Sequence, residues 1–213
     1  MTGEQALGGP FRILYVCTGN ICRSPMAERL TRHGLATRLG DEAARIVVES
    51  AGTWGHEGSP MEPHAAETVL TYRGDPRGFS ARELLHRHVV AADVVLTAAR
   101  EHREHVLALE PAAIRRVFTL KEFTRLAGAV DADRLPTGDI VARARALVGE
   151  AAVLRRRVRA RWPADDDVAD PYGAPMYVYR ACAAEIANAV DTLLAMLVDN
   201  GGVRNSLPRP SRA

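Results

Sequence analysis

A chain of 213 residues can form one domain with a full core. Its 28 basic and 26 acidic residues leave a net charge of +2, which gives no bulk electrostatic case for nucleic acid. No apolar run is long enough to span a bilayer, and the three cysteines, Cys17, Cys22 and Cys182, include no CxxC pair or His/Cys cluster that predicts a zinc site.

Residues 1–10 are polar and Gly-rich, with neither a basic start nor an apolar stretch, and read as a flexible N-terminus without a secretory signal. A cytoplasmic protein is expected. Apolar β-rich runs at 12–16, 46–49, 94–96 and 115–118 predict four strands. Helical stretches fall at 25–39, 63–72, 100–109 and 175–198. This alternation predicts an α/β fold: a single three-layer domain whose four-stranded parallel sheet carries helices on both faces. Residues 129–162 add a further helical pattern, with Val141, Ala144, Val148, Ala151, Leu154 and Val158 recurring at helical spacing. Arg155, Arg156, Arg157, Arg159 and Arg161 make its end basic. Two readings stand: a docking surface for an acidic peptide or polyanion, and, favoured, an amphipathic helix packed on the domain with its arginines in solvent or near Asp165–Asp167. The rest of 11–200 forms the domain proper, and 201–213 reads as a disordered tail.

The densest chemistry lies between the first strand and the first helix, Tyr15-Val-Cys-Thr-Gly-Asn-Ile-Cys-Arg-Ser-Pro-Met26. A strand turning through a tight loop into a helix N-terminus makes a phosphate-binding loop: backbone N–H groups gather at one point, beside the positive end of the helix dipole. The field that attracts an oxyanion also favours a thiolate at Cys17. Arg23 adds a planar fork able to grip two oxyanion oxygens. A thiolate facing a phosphoryl group can attack phosphorus and form a covalent intermediate. Gly19 relieves a clash in the turn, and Asn20 can take a left-handed backbone and bond the loop. Ser24 has two open roles, capping the helix with Pro25 at its first position or donating to the thiolate. Thr18, Ile21 and Cys22 complete the loop.

Val16 to Pro25 resembles the signature Val-Cys-x-Gly-Asn-x-Cys-Arg-Ser-Pro of the low-molecular-weight protein tyrosine phosphatases. Asp170-Pro171-Tyr172-Gly173 resembles that family's Asp-Pro-Tyr loop. Weaker likeness links them, at Ser50-Ala51-Gly52-Thr53 after the second strand and Ala91 to Leu96 at the third. The resemblance spans about residues 11–198 and leaves 129–162 as an insertion. It implies Cys17 as nucleophile, Arg23 as the phosphate-binding group and Asp170 as general acid. It implies hydrolysis of phosphotyrosine through a phosphocysteine, with no metal and no cofactor. The partner is then a phosphotyrosine-bearing protein, a bacterial tyrosine kinase being one candidate; neither membrane nor nucleic acid is expected, and the oligomeric state is open. Trp54 and Tyr172 are candidate walls for an aromatic ring, Trp54 having the equal alternative of only anchoring its loop. Asp165, Asp166 and Asp167 read as a solvated acidic run. Cys22 reads either as small loop packing or as a partner for a reversible protective disulfide with Cys17.

The chain departs from the family pattern in places. Ser50 matches a position that supports the loop, but its usual histidine partner falls at Phe79. Thr97-Ala98-Ala99-Arg100 follows the third strand where a Met is common. The resemblance also touches other activities. Arsenate reductases of this fold use further cysteines, and none lies between Cys22 and Cys182. Protein arginine phosphatases carry Thr where this chain has Ile21. A phosphate-binding module without turnover is the remaining alternative.

Overall fold

The four parallel strands β1 (Phe11–Cys17), β2 (Ile46–Gly52), β3 (Val94–Thr97) and β4 (Val117–Thr119) form one sheet in the order β2-β1-β3-β4. They belong to a computed structural model that describes residues 9–198. Among the described residues seven α-helices accompany them: α1 (Arg23–Leu39), α2 (Pro63–Thr71), α3 (His86–Ala91), α4 (Arg100–Leu109), α5 (Leu120–Ala127), α6 (Ile140–Leu154) and α7 (Met176–Leu197). The strands are apolar on both faces because helices cover both. Phe11, Ile13 and Tyr15 of β1 point into a large core with α1, α2, α5, α6 and α7. Leu14 and Val16 point the other way, into a smaller core with Val89 of α3 and Val106 of α4. The expected three-layer architecture is therefore present.

β1 sits between β2 and β3, and the chain order reverses there. In such sheets the carboxyl ends of the strands open onto a crevice at the reversal. Cys17 ends β1, and the β3–α4 turn faces it across that crevice. β1 pairs with β2 as far as Cys17↔Gly52, so both strands reach the same edge.

The element boundaries differ from expectation in several places. β2 runs three residues further than expected, to Gly52, and β4 starts later, at Val117. Two short helices, α3 and α5, were not expected. α5 begins with a capping box in which Thr119 accepts from the Glu122 amide and Glu122 accepts from the Thr119 amide, at 3.1 and 3.3 Å. Within the insertion, only Ile140–Leu154 is α-helical. Val141, Ala144, Leu147, Val148 and Ala151 bury its inner face against α5 and α7. Val158 joins the core without being helical.

The arginines at the end of α6 do not all lie in solvent. Arg155 folds inward, its guanidinium 4.1 Å above the Phe118 ring. Its Nε donates to Glu122 Oε1 at 2.8 Å, and its terminal nitrogens donate to the carbonyls of Val117 and Ile114. Arg156, Arg157, Arg159 and Arg161 stay exposed. The segments read from the sequence as a flexible start and a disordered tail lie outside the described residues, Gly9 and Pro10 excepted. Among the described residues no helix is long and apolar enough to cross a membrane.

Candidate active site

The loop Thr18–Cys22 connects β1 to α1 with no regular structure of its own. The amides of Gly19, Asn20, Ile21 and Cys22 donate to no acceptor among the described residues. Unpaired amides beside a helix N-terminus favour an anion, since each needs an acceptor and the dipole adds positive potential. Asn20 takes the left-handed backbone at φ 56° although its side chain is wholly buried. That conformation turns the loop back under itself. Gly19 lies against His56, whose ring carbon would stand 3.0 Å from an added Cβ.

The second wall of the loop is the segment after β2. Thr53 donates to the Cys17 carbonyl, Trp54 to that of Thr18, His56 to that of Gly19, and Glu62 to that of Ile21, at 2.8–3.0 Å. Gly52 permits this approach, because a Cβ there would meet the Thr18 oxygen at 2.4 Å. Trp54 therefore holds the loop through its backbone. Its ring is 77% exposed, so packing of that ring anchors nothing.

Behind the loop runs a buried polar chain. Asn20 Nδ2 donates to Ser24 Oγ at 2.9 Å and to Ser50 Oγ at 2.8 Å, while Asn20 Oδ1 accepts the Arg82 amide. Ser50 Oγ then donates to Glu28 Oε2 at 2.5 Å. Glu28 is 5% exposed, with the guanidinium groups of Arg29 and Arg32 beside its carboxyl. Ser50 thus takes Glu28 of α1, not residue 79, as its acceptor. Phe79 instead packs on the core with the Arg29 guanidinium over its ring.

Cys17 Sγ and Ser24 Oγ lie 3.0 Å apart. Of the two roles open to Ser24, this places it on the sulfur; the N-cap of α1 is Cys22, without a side-chain cap. Pro25 is the third residue of α1 rather than the first, where its missing N–H is still harmless. Burial raises the Cys22 thiol to about 12, with Tyr179 the nearest hydrogen-bonding group, and raises Cys182 to about 12 as well. All three cysteines are unbridged.

Arg23 is 5% exposed and reaches back across the loop. One terminal nitrogen donates to Asp170 Oδ2 at 2.6 Å and to Thr18 Oγ1 at 3.3 Å; the other donates to the Val168 carbonyl at 3.3 Å. The loop's arginine and the distant Asp170 therefore meet. His102, in the first turn of α4, also reaches this cluster, its Nε2 lying 2.9 Å from Thr18 Oγ1. Its carboxylate neighbour Glu101 is further, at 3.5 Å, and 74% exposed. No sequence motif marked His102, because its meaning depends on β3 lying beside β1.

Of the run Asp165–Asp167, expected to be solvated, only Asp165 is exposed. Asp165 accepts the Trp162 amide, and Asp166 pairs with Arg125 of α5. Asp167 accepts the Arg100 amide at 2.8 Å and pairs with its guanidinium at 3.0 Å. Lys121 donates to the Asp167 carbonyl, and the Val168 amide to that of Ala98. These bonds fix the segment just before Asp170. Asp170 Oδ1 then accepts the Tyr172 amide at 3.2 Å, and Gly173 supplies φ 73° for the turn. The Tyr172 ring is 62% exposed. Among the described residues no group of three His, Cys, Asp or Glu side chains is placed to hold a metal ion.

Comparison with known proteins matches residues 12–135 to the family described as low molecular weight phosphotyrosine protein phosphatase. A protein-arginine-phosphatase of Geobacillus stearothermophilus is 30% identical over 188 residues, 88% of this chain and 97% of that protein. The low molecular weight protein-tyrosine phosphatase A of Mycobacterium tuberculosis is 36% identical over 111 residues, 51% of this chain and 66% of that protein. Among solved structures, the low molecular weight protein tyrosine phosphatase of T. tengcongensis superposes with a TM-score of 0.63 at 28% identity, covering 87% of this chain and 98% of that one.

Proposed function

The chain belongs to the low molecular weight phosphotyrosine protein phosphatase family, and from that premise we propose that it hydrolyses phosphotyrosine in proteins through a phosphocysteine at Cys17. The observation that carries this reading is the meeting of Arg23 and Asp170, 147 residues apart, beside a loop of unpaired amides that holds Cys17.

In the first step the Cys17 sulfur attacks phosphorus and the bond to the tyrosine oxygen breaks. Asp170 gives that oxygen a proton, so a phenol leaves rather than a phenolate. In the second step a water attacks phosphorus, gives its proton to the Asp170 carboxylate, and the S–P bond breaks. Inorganic phosphate and the starting thiolate result. Arg23 and the loop amides of 19–22 take the charge that builds on the three other phosphoryl oxygens. Ser24, 3.0 Å from the sulfur, can donate to the thiolate as it departs from phosphorus. In the unliganded site Asp170 sits on the guanidinium that an incoming phosphate would use. Phosphate binding would displace the carboxylate from Arg23; freed of that cation and set beside the phosphoryl charge, it takes up from solvent the proton that it then gives to the leaving oxygen.

The exposed rings of Trp54 and Tyr172, and Ile21 rather than Thr in the loop, support a phenyl substrate. A phosphotyrosine-bearing protein, such as a bacterial tyrosine kinase, is the partner this implies. A thiol nucleophile stays active only where it is kept reduced, which favours the cytoplasm. A second reading, hydrolysis of phosphoarginine, is favoured by the arginine phosphatase that aligns along 97% of its length. Turnover of a phosphotyrosine peptide and of a phosphoarginine peptide, in reducing buffer with chelator, separates the two. Turnover of phosphotyrosine at least tenfold faster, lost in Cys17→Ser, is expected. The reverse preference would establish the second reading.

A further inference from the structure

His102 is 2% exposed, and the reaction just described does not use it. Its Nδ1 accepts the Ala99 amide hydrogen at 3.1 Å, so that nitrogen bears no proton. A neutral imidazole then keeps its hydrogen on Nε2. The direction of the 2.9 Å contact follows: Nε2–H donates and Thr18 Oγ1 accepts. Arg23 donates to the same oxygen at 3.3 Å. A hydroxyl has two lone pairs and one hydrogen. With both lone pairs occupied, Thr18 can act only as a donor.

We propose that His102 is a positioning residue for oxyanion binding: it fixes the Thr18 hydroxyl as a donor toward the phosphoryl group held by Arg23. The proposal rests on the phosphatase reading for the identity of that anion. Burial, then the nearby Arg23 charge, hold the imidazole down to about 4, so the ring stays neutral at neutral pH. A protonated ring would turn Nδ1–H against the Ala99 amide and place a second cation beside Arg23.

The test is calorimetric titration of inorganic phosphate into wild type, His102→Phe, His102→Gln, Thr18→Val and the double variant His102→Phe/Thr18→Val. Melting temperatures are measured alongside, and the wild-type ring tautomer is read by nitrogen-15 NMR. The Nε2–H tautomer is expected. His102→Phe and Thr18→Val should each weaken phosphate binding about tenfold, the worth of one hydrogen bond to a charged group. The double variant should bind no more weakly than either single one. His102→Gln, whose amide can both accept from Ala99 and donate to Thr18, should recover most of the loss. An Nδ1–H tautomer, a folded His102→Phe with wild-type affinity, or losses that multiply in the double variant would each overturn the proposal. If His102→Phe does not fold, wild-type affinity in Thr18→Val overturns it alone. A wild type that binds phosphate without hydrolysing any ester would sink the phosphatase reading while leaving this titration readable; a wild type that binds no phosphate sinks both.

Discussion

Each group to which the proposed reaction gives a role has one dominant physical requirement, and each requirement can be tested separately. Cys17→Ser should abolish turnover while phosphate still binds, because the loop amides and Arg23 remain; loss of folding in that variant would contradict this. Asp170→Asn should slow hydrolysis of phosphotyrosine by ~10²–10⁴-fold, the usual worth of a positioned acid. p-Nitrophenyl phosphate, whose leaving group needs little protonation, should be slowed far less. Equal slowing of both esters would remove Asp170 from the role of acid. His102 makes a further prediction through stability. Its folded state titrates near 4, below the ordinary histidine value of 6.5. Above pH 6.5 both states are neutral there and His102 contributes no pH dependence. As pH falls from 6.5 toward 4 the unfolded chain takes up a proton that the folded ring refuses, so stability falls, by up to ~3 kcal/mol. His102→Gln should flatten that part of the stability curve in urea unfolding at pH 7 and pH 4.5. Cys17 and Arg23 were marked in the sequence by the spacing of the loop, whereas Asp170 was marked only by its resemblance to the family's Asp-Pro-Tyr loop. His102 and Glu28 were not, since each matters only through a partner that the fold brings to it.

Two elements carry roles that the sequence pattern concealed. The acidic run before Asp170 reads as a solvated stretch, yet its side chains tie the loop to α4 and α5. Asp167→Asn should cost little in melting temperature, since its partner Arg100 is exposed and solvent screens such a pair. It should nonetheless lower kcat for phosphotyrosine several-fold, because small misplacements of an acid are costly. An unchanged kcat would show that the remaining bonds hold the loop unaided. The arginine-rich end of α6 divides in the same way. Arg155 lies over Phe118 with Glu122 as its ion partner, and burial is the main influence lowering its guanidinium. Arg155→Ala should destabilise the protein by ~2–4 kcal/mol, because Glu122 would be left charged and nearly buried. Lysine should not restore it, lacking the planar fork that meets a ring and two carbonyls at once. Arg157→Ala, two residues away and exposed, should stay within ~0.5 kcal/mol. A run of arginines in sequence does not say which one faces inward; the end of the helix at Leu154 decides it.

The whole molecule was legible in class and less so in detail. Alternating apolar runs and helical stretches announced a parallel sheet covered on both faces, because only buried strands can be apolar on both sides. Strand order was not announced. Yet the order β2-β1-β3-β4 places the β3–α4 turn against the phosphate loop and brings Asp170 to the same edge. Helices α3 and α5 escaped because six and eight residues are too few to show a period. The likeness to both tyrosine and arginine phosphatases leaves the chemistry at Cys17 as the claim on which both readings depend. The direct measurement is acid quenching of the enzyme within its first turnover of phosphotyrosine peptide, followed by mass spectrometry of the digested chain. A phosphoryl group on the peptide bearing Cys17, absent from Cys17→Ala, is the predicted result. Turnover with no phosphoryl group on Cys17, or with the group on another side chain, would contradict the account.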